Sequence, residues 1–182
     1  MHRPADSDAA APQRAGTGIE VGFSACHSYE NFGRGMVERT LAQLGGLEYD
    51  YFEWFRSCWD AWIEYPVLDR LNAHKPYRPD QCDLVGAAFT ELKARGKRVG
   101  LWVRDLWLPG NALTVYPELA TPKGDVDLAN PLIWEFIAAK LDRLFAVLPM
   151  LDTLILTLIE CPFPVLYRFD STLPPEQALA RL

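Results

Sequence analysis

Charged and aromatic side chains follow the apolar runs of this chain at the points where the runs end. Glu160 comes directly after the apolar run over residues 151–159, and His27 stands just past the first short run. A carboxyl group can act as a general acid, guanidinium groups bind hydroxyls or carboxylates, and indole rings bind the apolar faces of sugars. We therefore predict one ligand site, with Glu160 as its catalytic residue. The predicted binding residues are His27, Arg56, Trp59, Arg104, Asp105 and Trp107.

Each of these side chains also has a purely structural interpretation. Glu160 could be a solvated residue at a strand end, and the three charged residues after the second and third runs could pair with one another. A single histidine without a ligating neighbour is usually an ordinary residue, so neither a metal nor any other cofactor is expected. Glu53 lies inside the second run and needs a partner, for which Arg98 and Arg104 are the candidates. A substrate contact is the alternative role for Glu53.

The apolar pattern predicts four strands alternating with helices. The run over 151–159 is almost continuously apolar, which is typical of a strand covered on both faces. Before it, Asn130 can cap a helix and Pro131 suits the first helical position. Apolar residues of that helix form one wide stripe: Ile133, Phe136, Ile137, Leu141, Leu144, Phe145 and Leu148. The predicted strands are 19–25, 49–55, 98–103 and 151–159, and the helices are 33–44, 79–95 and 130–148.

Strict alternation of strand and helix predicts an α/β fold with a parallel sheet of four βα units in the order 1-2-3-4. Four such units are half of a TIM (β/α)8 barrel, which needs eight strands. Long connections over 61–78 and 109–128 follow the second and third strands. A connection as long as 61–78 is expected either to be functional or to contain short extra elements. Their position predicts a working face at the carboxyl ends of the strands. Residues 1–18 form an expected disordered leader, and 19–182 a partial barrel domain.

Composition narrows the classes of partner and compartment. The chain has 182 residues and a formal net charge of −6, which gives no support to a nucleic-acid partner. No apolar run approaches the roughly 20 residues of a membrane span, so no membrane partner is expected. Four scattered cysteines, without a Cys-x-x-Cys motif, indicate reduced thiols and a cytoplasmic protein.

Two segments carry a resemblance to a known group of enzymes. One is Asn130-Pro-Leu-Ile-Trp-Glu-Phe-Ile-Ala-Ala-Lys together with Leu151-Asp-Thr-Leu-Ile-Leu-Thr-Leu-Ile-Glu160. The other is Lys97-Arg-Val-Gly-Leu-Trp-Val-Arg104 followed by Tyr116-Pro-Glu-Leu119. Over residues 19–175 the chain resembles the N-terminal half of α-glucuronidase-like and hexosaminidase-like (β/α)8-barrel glycoside hydrolases. The resemblance implies a carbohydrate ligand, hydrolysis of an O-glycosidic bond in a complete barrel, and a general acid at Glu160.

Two rival interpretations come from other classes of protein. The chain could be a non-catalytic sugar-binding or structural α/β module. It could also be a doubly wound nucleotide-binding domain, but residues 27–33 after the first strand do not form a glycine-rich phosphate loop. In the glycosidase interpretation the chain is expected to be a truncated fragment or a non-catalytic remnant, because the partner carboxylate of such enzymes comes from a later strand.

We expect the chain on its own to self-associate through open strand edges and to lack glycosidase turnover. A sheet of four strands has two edges, and the inner face of a half barrel lacks its opposite wall. Sedimentation velocity should show a dimer or larger species, and aryl glycosides should not be cleaved. A monomer with robust turnover that is lost in Glu160→Gln would contradict this expectation.

Overall fold

Four parallel strands form the sheet in the part of the chain that the structure describes. A computed structural model describes residues 20–26, 33–55, 59–103 and 108–156, together with Gln177. The strands are Gly22–Cys26 (β1), Tyr51–Phe55 (β2), Arg98–Val103 (β3) and Thr153–Leu156 (β4). Their order in the sheet is β1-β2-β3-β4, and every neighbouring pair is parallel. The predicted α/β fold of consecutive βα units is therefore confirmed, and a rearranged, doubly wound strand order is excluded for these four strands.

The three predicted helices are present with the expected ends. They are Arg34–Leu44 (α1), Pro79–Ala94 (α2) and Pro131–Val147 (α4); a short helix, Ala112–Val115 (α3), lies between the last two. At the start of α4, the Asn130 side chain accepts a hydrogen bond of 3.0 Å from the Leu132 N–H, as a capping residue should. Pro131 occupies the first turn, where no backbone donor is needed.

The long connections after β2 and β3 both contain short elements of their own, which the sequence predicted for the first of them only. Two 3-10 helices, Trp59–Ala61 and Asp69–His74, lie between β2 and α2. Another, Pro117–Leu119, follows α3 on the way to α4. Many of the fully buried side chains belong to these connections rather than to the strands, among them Trp62, Ile63, Leu71 and Leu119. The connections are therefore part of the hydrophobic core.

Alternate residues along the strands separate the sheet into two faces. On the first face, Phe52 and Trp54 of β2 pack with their rings 6.5 and 5.9 Å from the ring of Phe89 on α2. Val99 and Leu101 of β3 share this face and are fully buried. Residues that alternate with these define what we call the second face: Gly22, Ser24, Tyr51, Glu53, Arg98, Gly100, Trp102, Thr153 and Ile155.

Strand β4 differs from its prediction. The apolar run indicated a strand covered on both faces, yet Thr153, Leu154 and Ile155 are only half-buried and Leu156 is exposed. The reason is position, because β4 is the last strand of the described sheet and pairs on one side with β3. Residues 157–160, the rest of the predicted strand, lie outside the described residues.

Two aspartates hold the amino ends of neighbouring strands in the same way. The Asp50 carboxylate accepts the Val21 N–H at 2.9 Å, and the Asp50 N–H donates to the Val21 carbonyl at 2.8 Å. Asp152 repeats this exchange with Val99, at 2.8 and 2.9 Å. The pattern links the strand pairs β1–β2 and β3–β4 just before each pair begins. It fixes the register at the end of the sheet opposite the predicted site.

Several predictions fall on residues that the structure does not describe. The expected leader over residues 1–18 lies outside the described ranges, as do residues 157–176. Within the described ranges, every helix is too short or too polar to cross a bilayer.

We expect Asp152→Asn to destabilise the fold by about 1 kcal/mol at neutral pH. The Lys93 ammonium, 2.5 Å from Asp152, lowers the pKa of that carboxyl, with help from the Val99 N–H. A lowered pKa in the folded state stabilises the protein above the unfolded value and loses that effect as the pH falls through the folded value. Urea unfolding at pH 7 and at pH 2.5 should therefore show a larger difference between variant and parent at pH 7 than at pH 2.5.

Asp142→Asn, at an exposed position of α4, is the matched control and should change stability by less than about 0.5 kcal/mol. An equal loss in both aspartate variants, or a loss for Asp152→Asn that is as large at pH 2.5 as at pH 7, would contradict the role given to the Asp152 carboxylate.

Candidate functional site

The carboxyl ends of all four strands lie along one edge of the sheet. Cys26 of β1 is in register with Phe55 of β2, which is in register with Trp102 of β3, and Val103 is in register with Leu156. The predicted site residues closest to this edge in sequence lie outside the described residues: His27, Arg56, Arg104, Asp105, Trp107 and Glu160. Their convergence on one cleft stays a prediction.

Trp59 is the one predicted site residue that the structure describes. Its side chain is fully buried at the start of the connection after β2, so the ring offers no exposed face of the kind a sugar platform needs. The ring instead lies beneath the Lys140 ammonium, whose Nζ is 4.7 Å from the ring centroid. The indole N–H has no hydrogen-bond acceptor among the described residues. Trp59 is therefore a core residue beside a charged cluster.

The second face of the sheet carries a carboxylate with its own hydrogen-bond donor. Glu53 is only 7% exposed, and the Tyr51 hydroxyl donates to its Oε2 at 3.0 Å. The sequence predicts Arg98 or Arg104 as the partner of Glu53, and Arg104 lies outside the described residues. Arg98 instead binds both carboxylate oxygens of Glu20, at 2.8 and 3.0 Å, at the amino end of the strands. A phenol two residues away on the same strand face reaches Glu53, whereas Arg98 lies nearer the Glu20 carboxylate.

Two glycines make room for the Tyr51 side chain. Gly22 on β1 is the register partner of Tyr51. Gly100 on β3 is diagonal to Tyr51, because it is the register partner of Glu53. A Cβ added to Gly22 would lie 3.1 Å from Tyr51 Cδ1. A Cβ on Gly100 would overlap the Tyr51 hydroxyl and lie 2.9 Å from the Thr153 carbonyl oxygen. The hydrogen bond to Glu53 therefore depends on the absence of a side chain at position 100.

Burial raises the pKa of the Tyr51 phenol well above its ordinary value. The negative charge of Glu53 and the hydrogen bond to it raise that pKa further, because a phenolate beside a carboxylate is disfavoured. Tyr51 therefore remains a protonated donor throughout the physiological range. The Glu53 carboxylate keeps one fixed donor, and this restricts the orientation of its two oxygens.

A fully buried lysine joins α4 to the connection after β2. Lys140 is 0% exposed, and its Nζ lies 2.7 Å from Asp60 Oδ1. The contact is an ion pair by distance rather than a directed hydrogen bond. Aromatic rings surround the ammonium, with the Tyr65 and Phe136 centroids each 5.3 Å away. Cation–π attraction of this kind strengthens when the cation is removed from water.

A second ammonium group binds the backbone of the same connection. Lys75 Nζ donates to the carbonyl oxygens of Asp60 at 2.7 Å and Ile63 at 2.5 Å. Burial lowers the pKa of this amine and Lys140 lowers it further, while the charge of Asp60 opposes the shift. Asp60 thus contacts one lysine through its carboxylate and the other through its carbonyl. We call this group the lysine cluster: Trp59, Asp60, Tyr65, Lys75 and Lys140.

The connection after β3 packs against the connection after β2. The Arg70 guanidinium lies 3.8 Å from the centroid of the Tyr116 ring and pairs with Glu118 at 3.2 Å. The Tyr116 hydroxyl donates to Asp69 at 3.2 Å and accepts from the Arg70 N–H at 3.0 Å. These contacts hold the two long connections to each other, so they behave as one layer beside the sheet.

Sequence reasoning missed the main polar residues of this region. Lys140 falls in the middle of a helix, where a lysine is normally a solvent-exposed residue. The available signal was its position, since Lys140 follows Phe136 by four residues and precedes Leu144 by four on the buried stripe. Tyr51 was assigned only to an aromatic strand. Its glycine neighbours belong to other strands, so the arrangement required knowledge of the register.

A carboxylate with one fixed donor can accept hydrogen bonds from hydroxyl groups. No group of three or more His, Cys, Asp or Glu side chains with the spacing of a metal site occurs within the described ranges.

No protein-family model matches this chain. No curated protein sequence matches it significantly either.

We expect Lys140→Met to lower the free energy of unfolding by about 3 kcal/mol, because it leaves the Asp60 carboxylate without its buried partner. The double variant Asp60→Asn/Lys140→Met should be more stable than Lys140→Met, since neither charge then remains. Urea unfolding measures both. Lys123→Met, at an exposed turn position, is the control and should change stability by less than about 0.5 kcal/mol.

A double variant no more stable than Lys140→Met would show that Lys140 acts through packing of its stem and not through Asp60.

Proposed function

We propose that this protein is a carbohydrate-active protein of the glycoside hydrolase-like kind, built on a barrel-type sheet of βα units. The observation that carries the proposal is the second face of the sheet. It presents a nearly buried carboxylate, Glu53, with a phenol donor, on consecutive parallel strands whose carboxyl ends share one edge. In sheets of this topology, ligands bind at the carboxyl ends of the strands.

The resemblance of residues 19–175 to barrel glycoside hydrolases supports the same proposal. It assigns the general acid to Glu160, which would protonate the oxygen of the leaving sugar. Arg56, Arg104 and Asp105 would bind hydroxyl or carboxylate groups of the ligand, and Trp107 would contact its apolar face. His27 would contribute a further polar contact.

Glycoside hydrolysis usually requires two carboxyl groups, one as acid and one as base or nucleophile. The two types of hydrolase differ in the separation of those groups, about 5–5.5 Å in retaining and about 6.5–9.5 Å in inverting enzymes. Glu53 is the buried carboxylate that the described part of the sheet supplies. Its hydrogen bond to Tyr51 suits a binding role, so the second catalytic carboxylate is not assigned to it.

The non-catalytic alternative is sugar binding without hydrolysis. Trp59, one of the predicted ligand contacts, belongs to the core and contributes to neither interpretation. The same face would then bind a saccharide through hydroxyl contacts alone, and Glu160 would be a binding residue.

Titration calorimetry with glucose, xylose and cellobiose, together with turnover of the matching aryl glycosides, tests the proposal. We expect saccharide binding that weakens at least about fivefold in Glu160→Gln, because a hydrogen bond to a charged group contributes about 1.5–3 kcal/mol. Glu135→Gln, at an exposed position of α4, is the matched control and should bind like the parent.

Absence of binding to every saccharide would refute a carbohydrate function. Binding with no aryl-glycoside turnover, in a chain that covers the whole protein, would favour the non-catalytic alternative.

A further inference from the structure

We propose that Glu53 binds the hydroxyl groups of a neutral sugar over strand β1, and that Tyr51 is the positioning residue that orients its carboxylate. This inference rests on the proposed carbohydrate function and names the ligand class and the binding group. Both residues lie on the second face, away from the residues predicted after the strands. The argument depends on the side chains that flank Glu53, on the capacity of its oxygens and on the charge of the face.

The neighbours of Glu53 across the sheet are both small. Ser24 of β1 is its register partner on one side and Gly100 of β3 on the other. Tyr51 fills the space above Gly100, as its overlap with a Cβ there shows. On the β1 side, Gly22 and Ser24 are exposed. The exposed neighbours of the carboxylate therefore lie on β1, whereas Tyr51 occupies the space over β3.

The groups that border this space match the hydroxyls of a sugar. An ionised carboxylate only accepts hydrogen bonds, and its two oxygens have about four acceptor sites. Tyr51 uses one site on Oε2, so sites remain for the hydroxyl donors of a ligand. The exposed Ser24 hydroxyl can both donate and accept. The vicinal hydroxyl groups of a sugar also donate and accept hydrogen bonds, so they complement the Glu53 carboxylate and the Ser24 hydroxyl.

The charge of the face favours a neutral sugar over a uronic acid. Arg98 is the described cation on the second face, but it lies at the amino end and is paired with Glu20. A ligand carboxylate placed over Ser24 would stand close to the Glu53 carboxylate, and like charges at such distances repel. A neutral hydroxyl group meets no such penalty.

Tyr51 acts on the ligand through Glu53. Its ring lies against Gly22 and its hydroxyl lies over Gly100, so the phenol is confined between the two strands. Confinement keeps the donor on Oε2, so the other oxygen receives no hydrogen bond from Tyr51. Without the phenol, the carboxylate can rotate, and the binding geometry is held less firmly.

The experiment measures binding of glucose, xylose and glucuronic acid by titration calorimetry in four proteins: the parent, Glu53→Gln, Tyr51→Phe and a Tyr77→Phe/Glu135→Gln control at exposed positions. We expect Glu53→Gln to weaken binding of the neutral sugars by about tenfold to hundredfold. Tyr51→Phe should weaken it by about threefold to tenfold. The control should match the parent, and glucuronic acid should bind at least about fivefold more weakly than glucose.

A second measurement separates positioning from folding. Alkaline titration of tyrosine absorbance in the parent and in Tyr51→Phe identifies the Tyr51 phenol, whose pKa is raised. In Glu53→Gln that pKa should fall, because the neighbouring negative charge is gone. Thermal unfolding of both variants verifies that the sugar titrations are made on folded protein. The glutamine side chain introduced in Glu53→Gln has nearly the same shape as the native glutamate and can still accept from Tyr51.

The outcomes distinguish this inference from the function on which it rests. If the parent binds neutral sugars and Glu53→Gln binds them within about twofold of the parent, the inference is overturned while the carbohydrate function stands. Equal or tighter binding of glucuronic acid overturns the assignment of a neutral ligand. If the parent binds no saccharide, the carbohydrate function and this inference both fail.

Discussion

The ion pair between Lys140 and Asp60 is the interaction on which the arrangement beside the sheet depends. A fully buried ammonium requires a partner. The Asp60 carboxylate is that partner, and the rings of Trp59, Tyr65 and Phe136 also lie around the Lys140 ammonium. The pair connects the middle of α4 to the turn just after β2. Lys75 closes the same turn from the other end of the connection. Loss of the Lys140 or the Asp60 charge would remove this contact between α4 and the short helix Trp59–Ala61.

This constraint extends to the second long connection. Arg70 and Tyr116 hold the connection after β3 against the connection after β2, and Asn130, which caps α4, also donates to the Glu118 carbonyl. The two connections and α4 therefore form one packed unit. Few residues of the two connections belong to strands or long helices, so their position depends on the contacts within this packed unit. These contacts would hold the connections in place beside a ligand at the carboxyl edge of the sheet.

A different constraint governs the sheet itself. Gly100 allows Tyr51 to lie across β3, and the phenol then reaches Glu53. At the opposite end, Asp50 and Asp152 secure the strand pairs through matching exchanges with Val21 and Val99. The amino end is thus fixed by backbone and carboxylate contacts, and the middle of the second face by a confined side chain. A rigid sheet with one nearly buried carboxylate is a suitable base for binding a polar ligand.

The sequence alone predicted the four described strands, because burial of apolar faces sets the period of apolar residues. Alternation of strands with helices predicted their parallel arrangement. Asn130 and Pro131 marked the start of a helix. Tertiary structure decided which polar residues are buried. Lys140 occupies a core position that its residue type argues against, Phe145 of the predicted stripe is 44% exposed, and Trp59 is in the core. The contact between Tyr51 and Glu53 was also beyond the sequence. It depends on the register that places Gly100 beside Tyr51, and contacts between strands distant in sequence are set by packing of the whole sheet.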